Sequence, residues 1–264
     1  MSENEKLVMV EKVGVHNNIA IIILNRQKAL NSFNNPMLNE LEQVFHSMKK
    51  DPELRAVILT AEGKSWCCGA DLKWMSTLDD KNYEQLIKCG QDVFEIIETF
   101  PCPIIAAING FTLGGGMELA LCCDIRIASE NAVLGQPEVT LGLSPGWGGT
   151  YRLQKIAGVG VAKELILTGR KISAKEALRM NILNEICPQE KLKEKAIEWA
   201  EMIARNAPLA IIEAKNAIND SRDGTIKEGY INEVQGAKRC FASQDLKEGI
   251  SAIFEKRNPT FKGK

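Results

Sequence analysis

The stretch over residues 104–128, IIAAINGFTLGGGMELALCCDIRIA, restricts the fold of this chain more than any other segment. Its apolar and glycine pattern predicts a strand over 104–108, a helix over 114–123 that opens on glycines, and a second strand over 124–128. A strand, a helix and a strand in such close succession are typical of an α/β fold built from helical crossover units.

The same alternation of strand and helix extends through the first half of the chain. Apolar runs predict further strands, and apolar positions at helical spacing predict helices with one buried face. The predicted strands lie at 19–26, 56–60 and 132–135, and the predicted helices lie at 36–49 and 81–100.

Beyond about residue 136 the strand signals fade and the pattern becomes helical. We find no linker, low-complexity segment or repeat that separates the two parts. We therefore predict a core over residues 1–200 that carries the functional site, followed by a helical C-terminal region over residues 201–264. The helical patterns lie at 149–157, 159–168, 174–180 and 189–205, and only helices are predicted from Pro208 onward.

Charge and hydropathy exclude several classes of protein. The 264 residues include 33 Lys and Arg against 34 Asp and Glu, so the net charge of −1 gives no overall attraction for nucleic acid or an anionic membrane. The longest apolar run near the N-terminus, residues 19–24, is far shorter than the ~20 residues that a membrane span needs. The opening sequence MSENEKLV has the layout of neither a secretory signal nor a transit peptide.

The eight cysteines favour a reducing compartment. Several lie in apolar stretches such as LALCCDI, and none forms a CxxC pair, so we interpret them as free thiols that pack as small apolar groups. Only His16 and His46 could join them as metal ligands, so we predict no metal site. We expect the protein to be cytoplasmic.

Two glycine-containing loops, each after a predicted strand, could present backbone N–H groups to a ligand. Gly114–Gly116 open a helix whose first N–H groups lack partners, and Gly115 is the best-placed donor. Gly69-Ala70 lie in the loop SWCCGADLKWM, where small residues also permit close approach of the backbone. Two such donors directed at one oxygen form an oxyanion hole, although each loop alone is equally typical of a tight turn that only packs.

Two carboxylates accompany these loops. Glu118 lies in the first turn of the glycine-opened helix among apolar neighbours, and Glu138 follows Pro137 just before another apolar run. Burial raises the pKa of a carboxyl toward the range that is useful for proton transfer, so the two residues are candidates for an acid/base pair. Each is also compatible with a plain capping or turn carboxylate.

The sequence GLSPG over residues 142–146 matches the G-x-S-x-G pattern of serine hydrolases. The residue after Ser144 is Pro145, which has no N–H to donate, and both histidines precede the serine. We therefore reject a serine hydrolase. P-loop and dinucleotide-binding motifs are absent from the sequence.

Together these motifs resemble the crotonase superfamily, and within it the short-chain enoyl-CoA hydratases. The resemblance covers nearly the whole chain and implies an α/β spiral of ββα units with a helical C-terminal region that forms trimers, usually two per hexamer. The matching segments are LNRQKALNSF, CGADLK, AAINGFTLGGGMELALCCD, GQPEVTLGLSPGWGGTYRL, LTGRKISAKEAL and EGISAIFEKRNPTFKGK.

The resemblance also implies a role for particular residues. The N–H groups of Ala70 and Gly115 would form the oxyanion hole, and Glu118 and Glu138 would be the catalytic pair. The coenzyme A part of the substrate would be bound by Lys28, Ala29, Leu30, Ala70, Asp71, Leu72, Lys73 and Lys256. No separate cofactor is implied, since coenzyme A is part of the substrate. Trp74 and Trp147 are bulkier than the residues of many relatives and either shape the acyl pocket or simply pack.

The presence of both glutamates favours hydration of a trans-2-enoyl-CoA to a 3-hydroxyacyl-CoA over the other reactions of the superfamily. An enoyl-CoA isomerase or an acyl-CoA hydrolase remains the alternative within the same superfamily. Some relatives bind RNA, but the net charge and the lack of a basic or aromatic stripe favour no nucleic-acid partner.

Overall fold

Ten β-strands in two sheets form the centre of the computed structural model, which describes residues 6–222 and 224–264. The larger sheet has the order β1-β2-β3-β5-β7-β10, and the smaller sheet has the order β4-β6-β8-β9. The strands are β1 (Val8–Val13), β2 (Ile19–Leu24), β3 (Ala56–Ala61), β4 (Ser65–Cys67), β5 (Ile104–Ile108), β6 (Phe111–Leu113), β7 (Ile125–Ser129), β8 (Val133–Gly135), β9 (Lys171–Ser173) and β10 (Glu185–Cys187).

Eleven α-helices surround these sheets in the described residues. Short 3-10 helices at Gln27–Ala29, Glu138–Leu141 and Gln189–Lys191 connect them to the strands. The α-helices are α1 (Asn35–Met48), α2 (Leu72–Met75), α3 (Asp80–Glu98), α4 (Gly115–Cys122), α5 (Gly149–Ala157), α6 (Val159–Thr168), α7 (Ala174–Arg179), α8 (Leu192–Ala204), α9 (Pro208–Ser221), α10 (Ile226–Phe241) and α11 (Gln244–Glu255).

The chain advances as a repeated β-β-α turn. The strand pairs β3/β4, β5/β6 and β7/β8 each contribute one strand to the large sheet and the next to the small sheet, and helices follow. Within the small sheet β4, β6 and β8 are parallel neighbours, so their carboxyl ends lie at one edge. The loops that leave these three strands therefore emerge side by side.

The strand β2 shows how the large sheet is held between two layers. All six of its residues are buried, as expected for a parallel sheet covered on both faces. Alternate side chains point to opposite faces, so Ile19 and Ile21 pack with Leu192 of α8, whereas Ile22 and Leu24 pack in the main core.

The α/β fold with a helical C-terminal region is confirmed, and the strand and helix predictions over 19–135 agree with the structure to within a few residues. The prediction that strands end near residue 136 is wrong, because β9 and β10 form at Lys171–Ser173 and Glu185–Cys187. These strands have three residues each, and their pairing with β8 and β7 defines them rather than any apolar run of their own.

The predicted division after residue 200 falls inside α8, which packs against the large sheet. The division into two regions stays a prediction.

The last three helices leave many apolar side chains exposed. Among the described residues, no helix is nevertheless long and apolar enough to cross a membrane. The exposed apolar side chains of α9 to α11 are Ile218, Ile226, Tyr230, Ile231, Val234, Phe241, Leu246, Ile250, Ile253 and Phe254.

Candidate active site

A cavity of about 210 Å³ opens where the three parallel strands of the small sheet end. The loop after β4 supplies Ala70, the turn after β6 supplies Gly115, and the loop after β8 supplies Glu138. Glu118 enters the same cavity from the first turn of α4. The cavity thus contains all four residues that the sequence singled out for chemistry.

The loop that carries Ala70 is fixed by pairing with the segment before α1. Phe33 N donates to Gly69 O at 2.7 Å, and Asp71 N donates to Phe33 O at 2.9 Å. This parallel bridge uses the groups on either side of Ala70, so the N–H of Ala70 itself points away from Phe33.

The turn that carries Gly115 lies directly against this loop. Gly69 has a φ of +82°, and a Cβ atom at that position would lie 2.8 Å from Gly115 N, so only glycine permits the approach. Gly115 is the first residue of α4, where a backbone N–H has no acceptor within the helix. The two segments can therefore present two N–H groups to one ligand atom.

Glu118 is held in a fixed orientation by two backbone donors. Its Oε1 atom accepts hydrogen bonds from Trp147 N at 2.8 Å and from Gly149 N at 2.7 Å. The side chain is only 2% exposed, and burial raises the pKa of this carboxyl to about 7, with a smaller contribution from the negative charge of Glu138. Glu118 can therefore exchange a proton near neutral pH.

Glu138 begins the 3-10 helix that follows β8. Its Oε2 atom is buried and has no hydrogen-bond partner within residues 6–222 and 224–264. In the orientation that satisfies its hydrogen bonds, the amide nitrogen of Gln136 donates to Glu138 Oε1 at 3.3 Å and to Gly114 O at 3.0 Å. Burial raises the pKa of Glu138 as well, so the site contains two neighbouring carboxyls whose pKa values are both raised by burial.

Apolar side chains form the rest of the cavity wall. The indole of Trp147 makes edge-on contacts with Phe33 and Phe94, with ring centroids 5.9 and 5.5 Å away. Such a wall suits an acyl chain and keeps bulk water away from the two carboxyls. The other apolar side chains of the lining belong to Ala70, Leu72, Met75, Leu86, Ile87, Leu113, Pro137, Leu141 and Leu143.

The residues predicted to bind coenzyme A fall into three groups. Ala70 and Leu72 line the cavity, and Asp71 caps α2 and forms an ion pair with Arg26 at 2.7 Å. Leu30 lies beside this loop, since its carbonyl accepts from Cys68 N at 3.1 Å. The structure does not bring the remaining residues into the cavity lining: Lys28 and Ala29 on the first 3-10 helix, Lys73 on α2, and Lys256 at the end of α11.

The cysteines are free thiols, and half of them are packing groups in the interior. All eight are free thiols, and Cys67, Cys122, Cys123 and Cys187 are buried. Burial raises the pKa of Cys122 well above its usual range and that of Cys123 to about 12, so both thiols stay protonated at neutral pH.

Sequence analysis missed the groups that orient the two carboxyls. The backbone N–H groups of Trp147 and Gly149 carry no signature in the sequence, because any residue except proline supplies one. Gln136 follows β8 two positions before Glu138, and this spacing beside a candidate acid was the one available signal.

Most of the chain matches known proteins of one kind. A family model described as "Enoyl-CoA hydratase/isomerase" matches residues 14–264. The chain belongs to the enoyl-CoA hydratase/isomerase family. The family assignment confirms the predicted crotonase resemblance, and the fold agrees with it.

Several relatives within this family are similar over almost their full length. The "Short-chain-enoyl-CoA hydratase" of Clostridium acetobutylicum is 43% identical over 254 residues, which cover 95% of each chain. The "Crotonyl-CoA hydratase" of Syntrophomonas wolfei is 41% identical over 244 residues, which cover 92% of this chain and 94% of that protein. A crystal structure of enoyl-CoA hydratase from Bacillus anthracis superposes with a TM-score of 0.96 at 41% identity and covers 98% of this chain and 100% of that one.

Proposed function

We propose that this chain is an enoyl-CoA hydratase, a hydro-lyase that adds water reversibly across the 2,3 double bond of a trans-2-enoyl-CoA to give a 3-hydroxyacyl-CoA. The observation that carries the proposal is the meeting of Glu118 and Glu138 with the backbone of Ala70 and Gly115 in one apolar cavity. The names of its relatives in Clostridium acetobutylicum and Syntrophomonas wolfei support the same reaction.

The first task of the site is to polarise the thioester carbonyl. In this proposal the N–H groups of Ala70 and Gly115 donate to the carbonyl oxygen and draw electron density away from C3 of the conjugated double bond. Negative charge grows on that oxygen as the reaction proceeds, so fixed donors stabilise the transition state more than the ground state.

The second task is to deliver the elements of water. Glu118 accepts a proton from a water molecule while the oxygen of that water bonds to C3. The electron pair of the double bond shifts toward the carbonyl, so that the thioester becomes an enolate with its negative charge on oxygen. Glu138 then donates a proton to C2 as the enolate collapses. One carboxyl gains a proton and the other loses one, and proton exchange between the pair restores the starting state.

The raised pKa values of both carboxyls fit proton exchange within the pair, and the assignment of base and acid rests on their hydrogen bonds instead. Glu118 accepts two N–H bonds that favour its ionised form, so it is the better candidate for the base. Glu138 accepts no such pair and is the better candidate for the acid.

The substrate requires binding beyond the cavity. In this proposal the loop over Ala70, Asp71, Leu72 and Lys73 and the segment over Lys28, Ala29 and Leu30 hold coenzyme A, with Lys256 on one of its phosphates. The proposed mechanism needs no metal or redox cofactor, since coenzyme A is part of the substrate and the two amides and two carboxyls supply the polarisation and the proton transfers.

The assembly and the compartment are part of the proposal. The exposed apolar side chains of α9 to α11 support a homotrimer or a hexamer of two trimers, because a soluble monomer rarely leaves so large an apolar surface in water. We propose a cytoplasmic location and no nucleic-acid partner, as the cysteine pattern and the net charge suggest.

The test is the hydration of crotonyl-CoA by the purified protein, followed through the ultraviolet absorbance of the conjugated enoyl thioester. Loss of absorbance with formation of 3-hydroxybutyryl-CoA is expected. Isomerisation of a 3-enoyl-CoA or release of free coenzyme A, without hydration, would instead favour the isomerase or hydrolase on the same scaffold. A salt-dependent mobility shift of RNA would overturn the prediction of no nucleic-acid partner.

A further inference from the structure

A buried arginine lies behind the loop that holds Glu118. Arg152 of α5 is 8% exposed, and its Nη1 atom donates to the carbonyl oxygen of Trp147 at 2.8 Å. The N–H of the same residue, Trp147, donates to Glu118 Oε1. One residue of the loop therefore connects the guanidinium group of Arg152 to the carboxyl of Glu118.

The guanidinium group is itself held by a carboxylate on another helix. Its Nε and Nη2 atoms donate to Glu98 Oε2 at 3.1 and 2.7 Å, and Glu98 is the last residue of α3. The other oxygen of Glu98 accepts from Arg222, which caps α9. The forked donors thus leave Arg152 little freedom to turn, as is usual for paired arginine and carboxylate groups.

Gly148, in the loop between Trp147 and Gly149, packs directly against this guanidinium group. A Cβ atom at Gly148 would lie 2.0 Å from Arg152 Nη1, so the peptide between Trp147 and Gly149 is packed directly on the charged group. Gly149 N is the second donor to Glu118. Both N–H groups that hold the carboxyl therefore flank the point of contact with Arg152.

We propose that Arg152 is a positioning residue for the hydration reaction. It fixes the loop over residues 147–149 that orients Glu118, and its positive charge, partly balanced by Glu98, stabilises the ionised form of the Glu118 carboxyl. This inference rests on the proposed function. Arg152 does not line the cavity and so does not touch substrate in this scheme; it acts through the loop and through its field.

The direction of the electrostatic effect follows from the charges around Glu118. The positive charge of Arg152 lowers the pKa of Glu118, against the larger effect of burial, which raises it. Loss of that charge should raise the pKa, and loss of the balancing charge of Glu98 should lower it. The charged groups that act on Glu118 are Glu138 and Arg152, and the other ionisable side chains of the cavity lining and of the elements packed around it are Glu98, Cys67, Cys68, Cys122 and Tyr83.

The test compares Arg152→Gln, Arg152→Lys and Glu98→Gln in the full-length protein. The pH dependence of kcat/KM for crotonyl-CoA is measured for each, with Kd for butyryl-CoA as the binding readout. Arg126→Gln is the matched control, because Arg126 is also buried and also binds backbone carbonyls, at Ile182 O and Cys123 O, but does not contact the 147–149 loop.

We expect Arg152→Gln to lower kcat about 10- to 100-fold, as for a displaced catalytic group, with Kd for butyryl-CoA changed less than about threefold. The acidic limb of its profile of kcat/KM against pH should move to higher pH. The acidic limb of the Glu98→Gln profile should move to lower pH. Arg152→Lys should lose activity but keep the acidic limb at the wild-type pH, because lysine keeps the positive charge and lacks the forked donors of the guanidinium group. Arg126→Gln should lower the melting temperature and leave the limb unmoved.

If the enzyme is active and the acidic limb of the kcat/KM profile lies at the same pH in all variants, this inference is overturned and the proposed function stays intact. A wild-type protein that does not hydrate crotonyl-CoA would instead overturn the function. In that case a ¹³C NMR titration of the Glu118 carboxyl, assigned with Glu118→Gln, tests the inference without turnover: an unchanged pKa in Arg152→Gln would refute it.

Discussion

The indole ring of Trp147 lies on the α-carbon of Gly115, so that a Cβ atom at Gly115 would be 2.3 Å from Trp147 Cζ3. The same ring excludes a side chain at Gly90 of α3, where a Cβ atom would lie 2.3 Å from its Nε1. One aromatic side chain thus fixes the spacing between α3, the start of α4 and the loop that binds Glu118.

This contact predicts that Gly115→Ala is damaging for steric reasons alone. Over-packing of a filled core costs about 1–3 kcal/mol, and the shift should displace the Gly115 N–H from its ligand. We expect a lower free energy of unfolding and a fall in kcat of at least about tenfold. The double variant Gly115→Ala/Trp147→Ala should lose less free energy of unfolding than the two single variants lose together. Strictly additive losses in denaturant unfolding would show that the two residues do not compete for space.

The second prediction concerns stability and pH at Glu118. The folded-state pKa of about 7 lies above the ordinary value of 4.5, so ionisation of this carboxyl opposes folding, and the loss of stability develops as pH rises from about 4.5 through 7. Glu118→Gln should abolish hydration yet raise the free energy of unfolding at pH 8, by up to about 3 kcal/mol. The gain should vanish below pH 4.5, as measured by urea unfolding at several pH values. An equal effect at pH 4 and pH 8 would contradict the assignment.

The third prediction concerns Glu138. Glu138→Gln removes the proposed proton donor to C2 while keeping the size of the side chain, so kcat for crotonyl-CoA should fall at least ~10²-fold with acyl-CoA binding nearly intact. Glu130→Gln, on the exposed turn between β7 and β8, is the matched control and should retain full activity. Unchanged turnover in the Glu138 variant would remove that residue from the mechanism.

The fourth prediction concerns the ion pair that attaches α9 to the large sheet. Lys215 Nζ lies 2.7 Å from Asp124 Oδ2, and the two side chains are 6% and 22% exposed. Lys215→Met leaves the Asp124 carboxylate without its partner, and we expect a loss of about 2–4 kcal/mol in denaturant unfolding. Lys215→Met/Asp124→Asn should recover part of that loss, because the amide oxygen can still accept from Ile104 N. No recovery would mean that the loss arises from the second bond of Lys215, in which Nζ donates to Cys102 O at 3.3 Å, rather than from the unpaired carboxylate.

The sequence was informative where a residue is unusual for its local context. The buried strand at Ile104–Ile108 agrees with the apolar run residue for residue, and Glu118 is identifiable because a glutamate is unusual among apolar neighbours. Glu138 is a candidate because it lies between Pro137 and an apolar run, and the two glycine loops are candidates because each follows a predicted strand. Parallel pairing of β4, β6 and β8 explains why segments so far apart in the chain reach one cavity.

The sequence was uninformative where the backbone or a three-residue strand carries the role. Strands β9 and β10 exist only through their partners, and the donors at Trp147 and Gly149 are main-chain groups. Arg152 in the segment GTYRLQKIA looks like an ordinary helix residue, and only the packing of α3 against it reveals its contact with Glu98. The roles assigned to Lys28, Lys73 and Lys256 stay predictions.

The parallel edge formed by β4, β6 and β8 has a consequence for enzyme design. In the proposed mechanism Ala70 and Gly115 contribute main-chain amides, which only an exchange for proline would delete while the two loops keep their course. Redesign of the acids or of the aromatic wall would therefore leave the proposed carbonyl-binding amides in place. New reactions on this scaffold should therefore be reachable by few mutations, provided that Gly69 keeps the two loops in contact.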